Sequence, residues 1–272
     1  MTKIRSVLVI CVGYNSQNLN EALAPWIALR NGIKDEHGNF AQLPSNIDWR
    51  ICCASGLFKE RRDLGEQYNN KDIPVLRQYL KSHAVDQVFE ITEGIYDYES
   101  RDLCWQWAKP LNVDLVWEFD SFDEYYSQEE ILKAIEWIEK NDLYTFYRIR
   151  FKNFFGAEGS KTYVKDFTPP RIIWNKPHKR IDKFHWDNEV TFYDGSQTPN
   201  CSNVVIPERI IHPKHLSWVG SPDFLKGKIA YQKQALKCCS YRFNDKENRL
   251  EFDSDYYSLT KQPFPEIFTD ES

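Results

Sequence analysis

The chain has 272 residues, of which 42% are hydrophobic and 15% aromatic, so it can bury a sizeable core as one large domain or two small ones. Its 35 Lys and Arg are outnumbered by 40 Asp and Glu. The formal net charge of −5 excludes a global positive field that would hold nucleic acid or an anionic membrane, but not a local basic groove. Seven cysteines without CxxC spacing, several of them in apolar runs, are typical of reduced, buried thiols and predict a cytoplasmic protein.

Four apolar runs predict the strands of the first half of the chain. They are SVLVICVG (6–13), WRICCASG (49–56), QVFEIT (87–92) and VDLVWEF (113–119). The first run is too short to span a membrane, and no small-residue cleavage site follows it. Helical segments lie between the runs, namely LNEALAPWIALRNG (19–32), IPVLRQYLKSH (73–83) and SRDLCWQWAKPL (100–111). Near-continuous apolar strands that alternate with helices predict a doubly wound α/β unit with a mainly parallel sheet covered on both faces.

The pattern of apolar and aromatic residues changes after residue 125. Ser127 and Glu130 have the spacing of a capping box and predict a helix that starts there. Residues 144–210 contain shorter, aromatic-rich runs that favour antiparallel strands and loops, and residues 223–239 predict a late helix. The polar, acidic tail is predicted either to be partly disordered or to wrap the domain through its aromatic residues, Tyr256, Tyr257, Phe264 and Phe268.

An acidic turn follows the fourth predicted strand, with Asp120, Asp123 and Glu124 within five residues. Ligands of open parallel sheets bind beyond the carboxyl ends of the strands, and Mg²⁺ and Mn²⁺ prefer carboxylate oxygens. The turn is therefore a candidate site for a metal-bound diphosphate. The alternative is that these acids only begin the next helix, whose dipole favours negative charge.

Other candidate ligands lie elsewhere in the chain. His212 and His215 are possible metal ligands, and Lys228 on the late helix is a natural partner for phosphate. Arg101 opens a helix before the acidic strand and is placed to hold a diphosphate bidentately. The alternatives are a structural pair of histidines and an ordinary surface arginine.

Taken in order, these pieces resemble the GT-A nucleotide-sugar glycosyltransferases, and family 2 among them. The corresponding stretches are VLVICVGYNSQ with Tyr14 and Asn15, SRDLCWQ with Arg101, VWEFDSFDEYYS with Asp120 and Asp123, and HPKHLSWVG followed by KGKIAYQ. The resemblance covers roughly residues 5–235. The acidic motif departs from the usual compact one, because Phe122 is an extra residue, and which aspartate is the main metal ligand stays open. Arg101 is followed by Asp102, where the family commonly has Asn.

The resemblance implies a GT-A fold, which has a Rossmann-like, mostly parallel central sheet flanked by helices and a small antiparallel acceptor-side portion. It implies one catalytic domain, residues 1–240, followed by a tail, 241–272. Residues 1–125 would bind the nucleotide sugar, and residues 126–240 would form the acceptor side and the late helix. The donor base and ribose would lie near Tyr14, Asn15 and the loop after WRICCASG. The phosphates would lie on Mn²⁺ or Mg²⁺ held by the acidic turn and a late histidine.

The implied activity is transfer of a hexosyl or pentosyl group to an acceptor hydroxyl. An inverting enzyme needs a carboxylate base for that hydroxyl. The stretch FHWDNEVTFYDG offers Asp187 and Glu189, of which Glu189 is slightly favoured because it opens a predicted strand. The alternative is that both are loop-surface acids.

Two other functions stay open at this point. A nucleotidyltransferase normally has a Gly-rich, basic loop after its first strand, and CVGYNSQN has one glycine and no lysine. A catalytically inactive carbohydrate- or nucleotide-binding protein of the same fold is the second, because fold does not fix function. The acceptor is a glycan, a small molecule, a protein side chain or a modified DNA base. The basic stretches RIRFKNFF (148–155) and KPHKR (176–180) would suit a nucleic-acid groove, or they are solvated faces.

Overall fold

The structure of the protein is a computed structural model. It describes residues 3–16, 18–59, 68–92, 94–120, 122–165, 167–184, 190–193, 197, 202–233, 239, 241–253 and 266–270, without the side chains of residues 97, 120 and 191.

The helices of this part of the chain are α1 Leu19–Asn31, α2 Asp72–Lys81, α3 Asp97–Ala108, α4 Gln128–Lys140 and α5 Pro222–Tyr231, with a 3₁₀ turn, Lys109–Leu111, after α3. The strands up to the middle of the chain are β1 Ser6–Gly13, β2 Ile33–Lys34, β3 Phe40–Gln42, β4 Asp48–Gly56, β5 Gln87–Ile91, β6 Leu115–Asp120, β7 Glu124–Tyr125, β8 Phe146–Arg148 and β9 Lys152–Gly156. They are followed by β10 Thr162–Val164, β11 Pro170–Trp174, β12 Ile181–Phe184, β13 Val190–Phe192, β14 Asn203–Val205, β15 Lys214–Val219, β16 Tyr241–Asn244, β17 Arg249–Phe252 and β18 Ile267–Thr269.

The central sheet has the strand order β14–β8–β11–β6–β1–β4–β5 within the described residues. The four strands predicted from the apolar runs, β6, β1, β4 and β5, are parallel neighbours. β11 runs antiparallel to both β6 and β8. The prediction of a mostly parallel α/β sheet with an antiparallel portion is confirmed, although β14 runs parallel to β8 in the region predicted to be antiparallel.

Helices cover the central sheet on both faces. Successive side chains of a strand point to opposite faces, and because those of the buried strands are apolar, both faces must be covered. Val7, Val9 and Cys11 of β1 join the core under α1, α2 and α4. Leu8, Ile10 and Val12 join the core under α3 and the β12–β13 hairpin. The first core centres on the fully buried ring of Trp26, whose centroid lies 5.0–5.8 Å from those of four other rings, Trp49, Trp117, Phe119 and Tyr126.

A second sheet has the order β18–β10–β9–β15–β7, and it packs with α5 and the β16–β17 hairpin around a third core. β7 begins four residues after β6 ends, so the acidic turn joins the two sheets. α5 ends at Tyr231, and residues 234–238 of the predicted late helix lie outside the described residues. In the tail, β18 pairs with β10 and Phe268 stacks on Tyr163, whereas Tyr256, Tyr257 and Phe264 lie outside the described residues.

The capping box of α4 is confirmed. The Ser127 hydroxyl accepts from the Glu130 backbone N–H at 3.2 Å, and the Glu130 carboxylate accepts from the Ser127 N–H at 3.0 Å. The cysteines that the structure describes are buried and form no disulfide with one another, and they are Cys11, Cys52, Cys53, Cys104 and Cys239. No described helix is both long enough and apolar enough to span a bilayer.

Candidate functional site

The candidate site lies at the point where the central sheet changes direction. From β1 the chain adds β4 and β5 on one side, and it then returns to add β6 on the other side of β1. The chain therefore continues in opposite directions from the carboxyl ends of the neighbouring strands β1 and β6. Such a place is a topological switch point, and open α/β sheets bind ligands there. The Tyr14–Asn15 loop follows one of these ends and the acidic turn follows the other.

Phe122 explains how the acidic turn accommodates its extra residue. Its backbone adopts a left-handed conformation, with φ of 52°, and its side chain is fully buried. The ring packs edge-on against Phe119, with centroids 6.1 Å apart, and it fills the space beside Gly13 at the end of β1. The extra residue is therefore a hydrophobic anchor that fixes the turn to the core.

Asp123 follows this anchor and is half-buried. Its carbonyl oxygen accepts from the Leu216 backbone N–H at 2.9 Å, which ties the turn to β15. Asp120 ends β6, and its carboxylate lies outside the described part of the structure. Asp120 thus ends the fourth predicted strand and Asp123 lies three residues beyond it, and a role for either in holding a ligand stays a prediction.

Glu124, the third acid of the turn, belongs to a buried ion pair. Its Oε1 lies 2.8 Å from Nε and 2.6 Å from Nη2 of Arg171 on β11, and its Oε2 accepts from the Tyr126 hydroxyl at 2.7 Å. Glu124 and Arg171 are 0% and 3% exposed. This carboxylate therefore holds the second sheet to the central sheet and is closed to solvent. Sequence reasoning missed Arg171, although a single arginine in the apolar strand PRIIW signals a buried acidic partner.

The loop after β1 is held in place by the segment that leads into α2. Asn15 has a left-handed backbone, with φ of 52°, and its side-chain oxygen accepts from the Lys71 N–H at 2.8 Å. The Tyr14 hydroxyl accepts from the Asn69 N–H at 3.0 Å. Both residues predicted to lie near the donor base are thus fixed at the carboxyl end of β1.

Asp72 is a buried carboxylate at the same edge that sequence reasoning missed. It accepts from the Ser16 N–H at 2.9 Å and from the Ser55 hydroxyl at 3.1 Å, so it bridges the loops that follow β1 and β4. Burial raises its pKa above the ordinary value of 3.8, since a low dielectric disfavours the charged form. The available signal was an acid between a polar loop and the Ile-Pro pair that begins a helix. An acid at that position is equally typical of a helix N-terminus, where it interacts with the helix dipole, so it did not identify a buried carboxylate.

The two predicted phosphate-binding cations both have partners within the protein. Arg101 on α3 is 5% exposed, and its Nε donates to the Glu118 carboxylate of β6, which is 1% exposed. Lys228 on α5 donates through Nζ to the Ser217 carbonyl at 2.6 Å and to the Ser217 hydroxyl. These contacts attach α3 to β6 and α5 to β15, and a role for either cation at a diphosphate stays a prediction.

The two predicted histidine ligands lie in different surroundings. The His215 ring is stacked on Phe167, with centroids 4.5 Å apart, and its Nδ1 is 2.8 Å from the Asn153 side-chain oxygen. His212 has its Nδ1 3.7 Å from a Glu208 oxygen. Burial lowers the pKa of His212, because it disfavours the charged imidazolium.

Two members of the predicted metal site come near each other, because the pairing of β15 with β7 places His215 opposite Glu124, the neighbour of Asp123. Among the residues that the structure describes, no three His, Cys, Asp or Glu side chains are grouped so that they could hold an ion. Asp123, His212 and His215 therefore do not form a three-residue ligand set by themselves, and a Mn²⁺ or Mg²⁺ site that includes Asp120 stays a prediction. The candidate bases, Asp187 and Glu189, lie outside the described residues.

Comparison with known proteins gives distant matches among solved structures. No family model and no curated protein matches the sequence. Two structures of S. aureus TarS, one of them residues 1–349, are each 15% identical over 54% of this chain, with TM-scores of 0.35 and 0.37, and the match covers 22% and 36% of their lengths. A protein from Desulfovibrio desulfuricans G20, provisionally described as a nucleotide-diphospho-sugar transferase, is 16% identical, with a TM-score of 0.30 and 62% coverage of both chains.

The chain thus spans less than two thirds of each of these proteins. Its own strand order and helix placement define the fold. They give a mixed α/β protein with a mostly parallel central sheet flanked by helices.

Proposed function

We propose that the protein is a glycosyltransferase that uses a nucleoside-diphosphate sugar. The observation that supports this most directly is the topological switch point between β1 and β6, because the Tyr14–Asn15 loop and the acidic turn flank it. A nucleotide that enters this crevice would have its base beside the β1 and β4 loops. Its phosphates would then point toward the acidic turn.

Hydrogen bonds hold the base and ribose side of the crevice. Tyr14 and Asn15 are each tied to a backbone N–H of residues 69–71, and Asp72 bridges Ser16 and Ser55. A loop that is already ordered loses little conformational entropy when a ligand binds. This order is a reason to place the donor base at the ends of β1 and β4.

The diphosphate would lie toward Asp120 and Asp123. The predicted ion, Mn²⁺ or Mg²⁺, would stabilise the charge that develops on the leaving diphosphate. The described side chains do not supply a ligand set, so no step of the mechanism proposed here is assigned to the metal itself. We expect the transferase to depend on this ion, so EDTA should abolish turnover and added Mn²⁺ or Mg²⁺ should restore it.

We place the acceptor hydroxyl on the opposite side of the sugar. A carboxylate, Glu189 or Asp187, would take the hydroxyl proton as the acceptor oxygen bonds to the anomeric carbon and the bond to the diphosphate breaks. Attack from that side inverts the anomeric configuration. The base assignment and the inverting outcome both rest on the sequence resemblance.

The test is release of a nucleoside diphosphate from a panel of nucleotide sugars, with Mn²⁺, with Mg²⁺ and with EDTA. We expect turnover of one donor class, and a drop of about 10²–10⁴-fold for Glu189→Gln or Asp187→Asn, whichever is the base. Asp120→Asn and Asp123→Asn should lower turnover. The matched control is Asp142→Asn, which removes an exposed surface aspartate paired with Lys3 and should leave turnover unchanged.

Other outcomes identify the alternative functions. Donor binding by calorimetry without turnover of any donor would indicate an inactive binding protein. Release of pyrophosphate from a nucleoside triphosphate and a sugar phosphate would indicate a nucleotidyltransferase. Neither binding nor turnover with any nucleotide sugar would refute the proposal.

A further inference from the structure

The second sheet has an outer face made of lysine and aromatic side chains. Lys152 and Phe154 point to the same side of β9, because side chains alternate along a strand. Lys214 of β15 pairs with Lys152, and Tyr163 of β10 pairs with Phe154. Phe268 of β18 pairs with Tyr163 in turn. We call these five residues, together with Lys165 and Asp270, the lysine–aromatic face.

The rings of this face form a ladder that crosses three strands. The centroids of Phe154 and Tyr163 are 5.3 Å apart, and those of Tyr163 and Phe268 are 5.4 Å apart. An ammonium group lies over each ring, Lys214 over Phe154 at 5.6 Å, Lys152 over Tyr163 at 5.7 Å and Lys165 over Phe268 at 4.9 Å. The rings thus hold the three ammonium groups in a row by cation–π contact.

The charges of this region are not balanced. Lys152 and Lys214 share the Asp270 carboxylate, at 3.1 and 3.0 Å. Next to them, Lys165 and Arg150 share the Glu208 carboxylate, at 2.7 and 3.1 Å. The register of β10 with β18 also places Glu266 opposite Lys165. Among the described residues, four cationic groups therefore meet three carboxylates, on a protein whose net charge is −5.

The three lysines remain accessible, with side chains that are 23–46% exposed. Of the rings beneath them, Phe154 and Tyr163 are 3% and 9% exposed, and Phe268 is half-buried. Unpaired bases and sugar rings bind by stacking on open aromatic faces, whereas a lysine ammonium lies over each of these three rings. A partner that presents only anionic groups at its surface fits this arrangement better.

We propose that the lysine–aromatic face binds the phosphate backbone of duplex DNA. In a duplex the bases are stacked inside and the phosphates lie outside, where lysine ammonium groups contact them as point charges. The members of the face lie on or beside four neighbouring strands, β15, β9, β10 and β18, which span about 14 Å at the usual strand spacing. A duplex presents several phosphates over that length. The binding is predicted to be independent of base sequence.

The test is fluorescence anisotropy of a short labelled duplex titrated with the full-length protein over about 50–200 mM salt. Four cations in contact with phosphates predict that log K falls against log salt with a slope of about −3 to −4. Lys152→Gln and Lys214→Gln should each weaken binding and reduce this slope by about 1. Asp270→Asn should do the opposite and tighten binding, because it removes a carboxylate that competes with phosphate.

The matched control is Lys133→Gln, which makes the same charge change on α4, where Lys133 pairs with Glu129 on the helix surface. It should bind as the wild type does. Thermal melts establish that each variant folds, and the opposite signs expected for Lys152→Gln and Asp270→Asn separate a charge effect from loss of structure.

Three results would overturn the proposal. The first is no duplex binding at the lowest salt, and the second is an equal loss of affinity in Lys133→Gln and Lys152→Gln. The third is binding of dextran sulfate or of a single strand in clear preference to the duplex, which would assign the face to an acidic glycan or to unpaired bases. No nucleotide sugar is present in this experiment, so its outcome is independent of the transferase proposal.

Discussion

Replacing Gly13 with alanine tests how the acidic turn is anchored to the core. An ideal Cβ at Gly13 would lie 2.6 Å from Cδ2 and 2.9 Å from Cε2 of Phe122, and 3.2 Å from Oγ of Ser16. The Phe122 ring is fully buried, and its backbone is already in the left-handed region. The ring therefore cannot move away from an added Cβ at residue 13, and either the acidic turn or the end of β1 must shift to relieve the contact.

The expected cost follows from these contacts. Overpacking a well-filled core costs about 1–3 kcal/mol. Loss of the flexibility of glycine in the unfolded chain offsets about 0.4–1 kcal/mol of this. We therefore expect Gly13→Ala to lower the free energy of unfolding by about 1–2 kcal/mol.

The assay is urea unfolding, with Gly227→Ala as the matched control. A Cβ at Gly227 meets nothing within 4 Å, and the residue lies inside α5 on its exposed side. Alanine there should stabilise the protein by about 0.5–1 kcal/mol, because glycine is unfavourable in a helix. The same substitution should thus have opposite effects at the two positions.

A second-site change sharpens the test. Phe122→Leu makes room beside residue 13, so the double variant Gly13→Ala/Phe122→Leu should lose less stability than the two single losses added together, by about 0.5–3 kcal/mol. Strict additivity, or a Gly13→Ala variant as stable as the wild type, would show that Phe122 does not anchor the turn against β1.

Three further predictions concern groups around the site. Arg171→Met should destabilise the protein by about 3–5 kcal/mol in urea, because it leaves the Glu124 carboxylate buried and unpaired, whereas adding Glu124→Gln should recover part of the loss. Burial raises the pKa of Asp72 above 3.8, so the folded protein keeps the Asp72 proton to higher pH than the unfolded chain does. Protonation of Asp72 therefore stabilises the fold at low pH, and this contribution is lost as the pH rises from about 4 through the folded-state pKa. Asp72→Asn should lose less stability than the wild type over that rise in urea melts, and an identical pH dependence would refute this. Ser127→Ala should cost about 1 kcal/mol by thermal melting, because it removes the acceptor for the Glu130 N–H, and no loss would contradict the capping role.

Much of the central sheet could be predicted from the sequence, because β1, β4 and β6 are buried on both faces. A strand in that position must be apolar at nearly every residue, and the runs at 6–13, 49–56 and 113–119 have that composition. The run at 87–92 is less apolar, and it forms the edge strand of the sheet, most of which is half-buried. The four runs became β1, β4, β5 and β6 with small shifts at their ends. The Ser127–Glu130 capping box was equally readable, because it depends only on residues three apart.

The second half of the chain was harder to predict because its partners are distant in sequence. Composition did not indicate that β15 pairs with both β9 and β7, or that β18 pairs with β10 from more than 100 residues away. Such pairings depend on which edges remain open after the rest of the fold has formed. The lysine–aromatic face arises in the same way, since its members come from four separate strands.

The sequence by itself determined that the chain is an α/β protein and that carboxylates follow a buried strand at the ligand edge of its sheet. The tertiary structure decided what each of those groups does. Glu124 became half of an ion pair with Arg171, Arg101 turned to Glu118, and Phe122 filled the space left by Gly13. A charged side chain near a strand end faces solvent, a ligand or a buried partner according to what packs beside it, and that depends on residues far away in the chain.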